Sequence, residues 1–342
     1  MKRMAAAALA AGMACGTAWG WAGMQHFQIT REAGRRVPEE MAGWESWAKT
    51  MAFPSVCPDL WKGADYDEGP RHYFEADRLR GLRATEVDAD WDEASGKQFR
   101  FSREDIGDGP WQICELLGMM SDAMRTNDWE WAARCGATLA HYAEDLHMPL
   151  HCIRNFNGQE TNQRGAHTRI ESGAIKTFFD AGMFKGEGKG EVLEDPFHAV
   201  MGWVEASTAR GPRWLRWELE ATAAAEGDTE SEEYYEEVWG RVREEAVARM
   251  DAAATDVASL WATAWANAGK PAIPRAPREI SQRSVWSGVG IDGEEQVAKR
   301  AGRNRKYDYL IWGFLGGVFF WTLVTAVARA LKNERAVRGR RE

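Results

Sequence analysis

The chain has 342 residues, of which 44% are hydrophobic, so a disordered or collagen-like protein is excluded and one or two domains with a core are expected. Its formal net charge is −9, and because basic residues are concentrated at both ends, the part between them is more acidic still. An acidic surface repels polyanions, so we expect no binding of duplex nucleic acid through a basic face.

The first twenty residues have the pattern of a signal peptide. Lys2 and Arg3 precede an apolar run, and Ala18 and Gly20 stand at the −3 and −1 positions of a cleavage site. We predict cleavage after Gly20, which makes Trp21 the new N-terminus. The alternative is an uncleaved N-terminal anchor. With a cleaved leader the protein is exported.

Residues 21–270 show helical periodicity with few β signals, which predicts an all-α domain. One helix begins near Pro110, and a second runs from about Asn127 to about Leu146, where Pro149 stops it. Further helices are expected around 173–183, 196–208 and 212–226, and from 229 to about 267. We therefore expect one helical domain over this whole range.

The C-terminal end carries a predicted membrane anchor. Three prolines end the domain after residue 270, and the charged segment 271–308 is predicted to be a tether. Residues 309–328 carry no charge and, at about 1.5 Å per helical residue, match a bilayer core, so a transmembrane helix is predicted there, followed by a basic cytoplasmic tail at 329–342. Basic residues flank both sides of the span, so the leader decides the orientation, with the domain on the periplasmic or extracellular side.

Loss of the leader would leave four cysteines, Cys57, Cys114, Cys135 and Cys152. An even number in an exported protein predicts one or two disulfides, and the three possible full pairings stay open. No CxxC spacing occurs, so a thiolate metal site is not expected.

Histidines and carboxylates recur with metal-ligand spacing in the middle of the chain. His141 and Asp145 lie four residues apart, on one face of the second predicted helix. His151 follows just after the stop at Pro149, and His167 and Glu171 repeat the four-residue spacing on the next helix. Each pair alone is common on surfaces and in cores, but the segments HYAEDLHMPLH and HTRIE together are a highly specific signal of metal binding.

Candidate ligands also lie nearer the N-terminus. Asp59 and His72 are upstream carboxylate and imidazole candidates, and His26 lies five residues after the predicted terminus. A new α-amino group at Trp21, together with its neighbouring carbonyl oxygen, can chelate a metal. The cleavage site and the metal site therefore support each other.

These motifs, with WAGMQH at the predicted terminus and PDLW around Asp59, resemble the zinc-dependent phospholipase C and single-strand nuclease superfamily. The resemblance implies an all-helical bundle with three zinc ions in a cleft. It also implies the ligand sets: His72, His141, Asp59 and Asp145 for one zinc; His151, His167 and Glu171 for a second; Trp21, His26 and Asp145 for a third. Asp145 would bridge two metals, and Asp59 would also serve as a general base.

Imidazole and carboxylate ligands suit Zn²⁺ on chemical grounds as well, and a site with three protein ligands keeps a position open for water or substrate. Such a cluster can activate a water for in-line phosphodiester hydrolysis. His147, two residues beyond Asp145, points elsewhere on the helix and is expected to support the ligands or cap the helix rather than to bind metal.

The sequence leaves more than one class of substrate open. The segment after His151 is similar to the phospholipase branch, and a membrane tether favours a phospholipid head group presented by a bilayer. The spacing from Trp21 to His26 is similar to the nuclease branch, as are Tyr73 and Glu75, which stand where that branch binds a base. We predict a zinc phosphodiesterase of phospholipase C type. The second hypothesis is a single-strand nuclease or nucleotidase, and the third is a non-catalytic, zinc-stabilised, membrane-anchored binding module.

Overall fold

A computed structural model describes residues 23–291, and all regular secondary structure in this part of the chain is helical, without a β-strand. The all-α fold class is therefore as predicted. The longer helices and the short α3 that carries Asp59 are α1 (Gly23–Arg36), α2 (Trp44–Met51), α3 (Cys57–Trp61), α4 (Gly109–Arg125), α5 (Trp129–Leu146), α6 (Pro196–Thr208), α7 (Gly211–Ala224) and α8 (Glu232–Asn267).

Shorter helical segments connect them. The 3₁₀ segments are Glu39–Met41, Pro54–Val56, Tyr66–His72, Ala76–Leu79, Ala84–Glu86, Pro149–Cys152 and Ala181–Met183. Two π-helical segments, Ala94–Phe99 and Arg169–Ile175, follow the short α-helices Trp91–Glu93 and Ala166–Thr168. The remaining short α-helices are Arg103–Ile106 and Lys176–Phe178.

The core is built around α5, which packs against α4 and is also contacted by α1 and α8. From Cys135 to Leu146 every residue of α5 is buried, so both faces of this stretch lie inside the protein. Trp44 and Trp261 are fully buried, and their rings meet edge to face with centroids 6.0 Å apart. A helix buried on all sides can direct polar side chains only toward partners inside the protein, which is the setting a metal site requires.

The helix boundaries follow the capping signals. The side chain of Asp128 accepts from Trp131 N at the start of α5, and that of Ser231 accepts from Tyr234 N at the start of α8. The helix expected around 173–183 differs, because the chain adopts π-helical geometry over Arg169–Ile175 and the helix ends at Phe178. The long C-terminal helix is continuous.

The predicted disulfides are not formed: Cys57, Cys114, Cys135 and Cys152 are free thiols. They lie on separate elements, and two of them donate to backbone carbonyls instead, Cys57 to Phe53 O and Cys152 to Leu146 O. Burial raises the pKa of each of the four thiols to about 12. Packing as small apolar side chains explains their burial without a cross-link.

Residues 271–289, predicted to begin a tether, pack against the helical body. The indole nitrogens of Trp47 and Trp61 donate to Pro274 O and Gln282 O, and Ile280 is buried. These residues belong to the same compact unit as the helices. Within the described residues no helix combines the length and the apolarity that a membrane span needs. The predicted leader, the span at 309–328 and the basic tail lie outside the described residues.

Candidate metal centre

His141 and Asp145 lie one turn apart on α5, as the spacing predicts. Both side chains are fully buried, and Nε2 of His141 lies 3.3 Å from Oδ2 of Asp145. The helix ends directly afterwards, because His147 caps it and Pro149 begins a 3₁₀ turn that carries His151. This turn brings Nδ1 of His151 to 3.8 Å from Oδ1 of Asp145.

Four predicted ligands, His26, Asp59, His72 and His141, converge around Asp145, and we call these five residues the Asp145 group. His26 comes from α1 and stacks on the His141 ring, with centroids 3.9 Å apart and Nε2 3.4 Å from Asp145 Oδ1. Asp59 comes from α3, and Oδ1 lies 3.7 Å from His141 Nε2. Nδ1 of His72, at the end of a 3₁₀ segment, lies 2.8 Å from Asp145 Oδ2.

The Asp145 group contains two sets of three ligand atoms that could each hold one metal ion. His26, His141 and Asp145 form one set, and Asp59, His72 and His141 form the other. The two oxygens of Asp145 face different histidines, since Oδ1 is directed toward His26 and Oδ2 toward His72. This arrangement is the one that a carboxylate shared between two metal ions requires.

His151, His167 and Glu171 form the third set, which we call the Glu171 group. Gly165, with φ of 97°, provides the left-handed turn that starts the short helix of His167. Glu171 follows within the π-helical segment, and its Oε2 lies 3.0 Å from His167 Nε2. Single π-helical turns are frequent at functional sites.

Outer partners set the orientation of most of the histidine rings. Nδ1 of His26 donates to Glu144 Oε2 at 2.6 Å, Nδ1 of His141 to Ser55 O at 2.7 Å, and Nδ1 of His151 to His72 O at 2.7 Å. In each of these rings Nε2 is left to face the cluster. Metal-binding histidines commonly donate their second ring nitrogen to a carboxylate or carbonyl in this way.

Within the described residues, the inward-facing atoms include buried polar atoms without a hydrogen-bond partner. They are His26 Nε2, His151 Nε2, both ring nitrogens of His167, Asp59 Oδ2, Asp145 Oδ1 and both oxygens of Glu171. Buried polar atoms without partners are costly and rare. A cluster of nitrogen and oxygen donors in this state fits divalent cations of the zinc type, which would complete the missing bonds.

The electrostatics of the Asp145 group come from close charges in a dry interior. Burial alone would lower the pKa of His26, but the nearby carboxylates of Asp145 and Glu144 raise that pKa to about 10. Burial and the neighbouring His26 lower the pKa of His141 to about 4. Although burial opposes it, the imidazoles of His151 and His141 hold the pKa of Asp145 well below its usual range. The cluster therefore carries negative charge at its centre.

In the Glu171 group burial dominates. It holds the pKa of His167 well below and that of Glu171 well above the ordinary values, so burial favours the neutral form of both side chains. A bound cation would offset the free-energy cost of ionising the buried Glu171 carboxyl group, because it provides an opposite charge nearby.

Three residues at the site were missed by the sequence reasoning. Glu144 and Glu68 are buried carboxylates behind His26 and His72, and Lys62 donates to Asp59 Oδ1 at 2.7 Å. Burial would lower the pKa of Lys62, but the carboxylates of Asp59 and Asp145 outweigh it and raise that pKa. The only local signals were an acidic residue adjacent to Asp145 and a lysine three residues after Asp59, both common on helix surfaces.

The remaining candidates occupy the periphery. Tyr73 is half-buried and donates to Glu104 O, while buried Glu75 pairs with Arg78, and neither belongs to the three ligand sets. Burial raises the pKa of Glu75 to about 7. His147 is the C-cap residue of α5 and hydrogen-bonds to Ala143 O and Asp256, and it belongs to none of the three ligand sets. Trp21 lies outside the described residues.

No protein-family model matches the chain, and no curated protein is significantly similar to it.

Proposed function

We propose that the protein is a zinc-dependent phosphodiester hydrolase of phospholipase C type, exported and anchored to a membrane. One observation carries this proposal. Eight predicted ligands, distant in the sequence, form connected buried sets of donor atoms, and partnerless atoms occur in all three sets. A site built only for stability would have its polar atoms satisfied by protein.

We assign His72, His141, Asp59 and Asp145 to one zinc, His151, His167 and Glu171 to a second, and Trp21, His26 and Asp145 to a third. The finer fold, a helical bundle of the phospholipase C and nuclease superfamily with a trinuclear zinc cleft, belongs to the same proposal. Its support is the resemblance of the motifs together with the two-sided position of Asp145.

Zinc bound there would lower the pKa of a coordinated water and neutralise charge on a phosphate. The protein's own contribution begins with Asp59. Lys62 and the histidines lower the pKa of its carboxyl group despite burial, so Asp59 is ionised at neutral pH and can accept a proton from an attacking water. The half-buried ammonium group of Lys62 adds positive charge beside the site, which favours an anionic substrate.

The substrate we propose is a phospholipid head group at a bilayer surface. The segment from His151 to Glu171 is similar to the phospholipase branch, and the predicted span at 309–328 would hold the domain beside lipid at high effective concentration. The acidic net charge also disfavours long polyanions.

A single-strand nuclease or nucleotidase is the second candidate, and Tyr73 is the observation that favours it. The chain places this half-buried aromatic directly after the ligand His72, and its hydroxyl is fixed to Glu104 O. Gly107 lies so close that a Cβ there would stand 2.1 Å from Tyr73 O, so the backbone around the aromatic is held tightly. Aromatic rings beside a phosphate site can stack on an unpaired base.

The test compares the two substrates on one preparation. The full chain with its processed N-terminus is assayed for zinc content and then incubated with mixed vesicles of phosphatidylcholine, phosphatidylethanolamine and phosphatidylglycerol, and in parallel with single-stranded DNA and RNA. Each reaction is repeated with a chelator. We expect chelator-sensitive release of phosphorylated head groups and intact nucleic acid.

Cleavage of single strands with lipid untouched would replace the phospholipase proposal with the nuclease. Zinc-replete protein that binds lipid or nucleic acid but turns over neither would favour the binding module. Protein that holds no zinc would contradict the proposed metal centre itself.

A further inference from the structure

The segment 271–289, here called the strap, follows a defined path over the helical body. It is held along its length by side chains that donate to its carbonyl groups: Trp47 to Pro274, Thr50 to Pro277, Trp61 to Gln282 and Arg134 to Arg283. Three of its own side chains, Ile280, Ser284 and Val289, are buried. The strap is therefore part of the folded domain, and the chain continues from it toward the predicted membrane span.

The end of the strap reaches the metal centre through Trp286. The indole Nε1 of Trp286 donates to Tyr142 Oη at 3.2 Å, and the guanidinium group of Arg71 lies 5.0 Å from the centroid of the indole ring. Tyr142 follows His141 on α5 and is fully buried. A residue 144 positions away in the sequence thus contacts the neighbour of a predicted ligand.

The contact continues to His72. Tyr142 Oη donates to Glu68 Oε1 at 2.5 Å, and the same oxygen lies 3.3 Å from Nε2 of His72. The other oxygen, Glu68 Oε2, accepts from Arg71 at 2.9 Å. Glu68 is fully buried, so these groups determine where its carboxylate lies.

Trp286 joins this chain of contacts at the hydroxyl group of Tyr142. The Glu68 carboxylate can only accept, so Tyr142 Oη donates to it, and the indole N–H can only donate, so it occupies an acceptor position of the same hydroxyl group. Glu68 Oε1 in turn lies at ion-pair distance from the outer nitrogen of His72 without forming a hydrogen bond to it, and Nδ1 of the same ring faces Asp59, Asp145 and the cluster. Carboxylates behind a ligating imidazole fix the orientation of its ring and raise its basicity.

We propose that Trp286 is a positioning residue for the metal ion held by His72, so that docking of the strap completes this part of the metal centre. The inference rests on the proposed metal-binding function. It connects a contact near the end of the strap to one particular ligand, through Tyr142 and Glu68.

The test measures metal affinity in the full-length protein. Trp286→Phe keeps an aromatic ring over Arg71 but removes the N–H donor, and Tyr142→Phe removes the hydroxyl group at the centre of the path. Thr50→Val is the matched control, because it removes a strap hydrogen bond of the same kind far along the strap from Trp286. Zn²⁺ affinity is measured by chelator competition, the visible spectrum with Co²⁺, and melting of the metal-free protein.

We expect Tyr142→Phe to weaken one bound ion about 10-fold, the low end for groups that support a ligand, and Trp286→Phe to weaken the same ion several-fold. The Co²⁺ spectrum should change in both variants, and the other ions should bind as in the wild type. Thr50→Val should lower the melting temperature as Trp286→Phe does but leave affinity and spectrum unchanged.

Unchanged affinity in Trp286→Phe, or an equal loss in Thr50→Val, would overturn the positioning role while leaving the metal centre intact. Wild-type protein that binds no Zn²⁺ would instead overturn both this inference and the proposed function, and the wild-type measurement alone separates the two cases.

Discussion

The Asp145 group and the Glu171 group contain similar buried side chains, but the polar atoms of the two groups differ in how many hydrogen bonds they make. In the Asp145 group the imidazoles and carboxylates hydrogen-bond to each other, and Glu144, Glu68 and Lys62 stand behind them. In the Glu171 group, His167 has two ring nitrogens and Glu171 two oxygens without a hydrogen bond. The Asp145 group is a network that protein contacts largely sustain, whereas the polar atoms of the Glu171 group have a physical reason to be buried only beside a cation.

The difference shows that a metal site can be recognised in two ways. Strongly shifted pKa values identify the Asp145 group, since the pKa of His26 is raised to about 10 and the pKa of His141 is lowered to about 4. Missing hydrogen bonds identify the Glu171 group. Metal removal should therefore affect the two groups unequally.

The largest effect is expected from Asp145→Asn. The two oxygens of Asp145 face different histidines. The asparagine variant should therefore lose activity by about a thousand-fold or more and should lose two metal ions together. Metal analysis and turnover of the variant measure both. Asp122→Asn, an exposed carboxylate on α4, is the control. Retention of all ions in Asp145→Asn would contradict a shared carboxylate and weaken the distinction between the groups.

Glu171→Gln should act on one group alone. We expect it to lose one ion and to leave the ions of the Asp145 group in place. The metal-free protein should keep its stability, because the buried carboxyl group is already neutral there. The zinc-loaded protein should lose about 2 to 4 kcal/mol of linked stabilisation. Melting with and without chelator separates these effects, and an equal drop in both states would speak against a cation at Glu171.

Glu144→Gln probes the support that the Asp145 group has and the Glu171 group lacks. The amide cannot hold His26 as the carboxylate does, so the affinity for the ion at His26 should fall about 10- to 100-fold. Chelator competition gives the affinity, with the exposed Glu40→Gln as the comparison. The idea fails if both variants bind zinc equally well.

The smallest effect concerns pH in the metal-free protein. The folded pKa of His26, about 10, lies above the unfolded value of 6.5, so its stabilisation is complete below pH 6.5 and is lost as pH rises toward 10. From about pH 8 to about pH 9 the wild type should lose ~1 kcal/mol relative to His26→Gln. Urea unfolding of both proteins gives this difference. Parallel pH dependence would mean that His26 is neutral in the folded protein.

Local patterns predicted the parts of the site that lie within one segment. The four-residue spacings of His141 with Asp145 and of His167 with Glu171, and the turn at Pro149, are properties of the backbone alone. The disulfides were predicted from the number of cysteines, and this failed because their pairing depends on distances that no local pattern contains.

The sequence by itself therefore determined the long helices that begin near Pro110, Asn127, 196, 212 and 229, and the four-residue ligand pairs, since these follow from hydrogen bonds and periodicity within a few residues. Tertiary structure alone decided which groups stand behind the ligands. Glu144 meets His26 across 118 residues, and Trp286 meets Tyr142 across 144. Such contacts depend on how α1, α5 and the strap pack together, and burial then makes each one strong enough to orient a histidine ring.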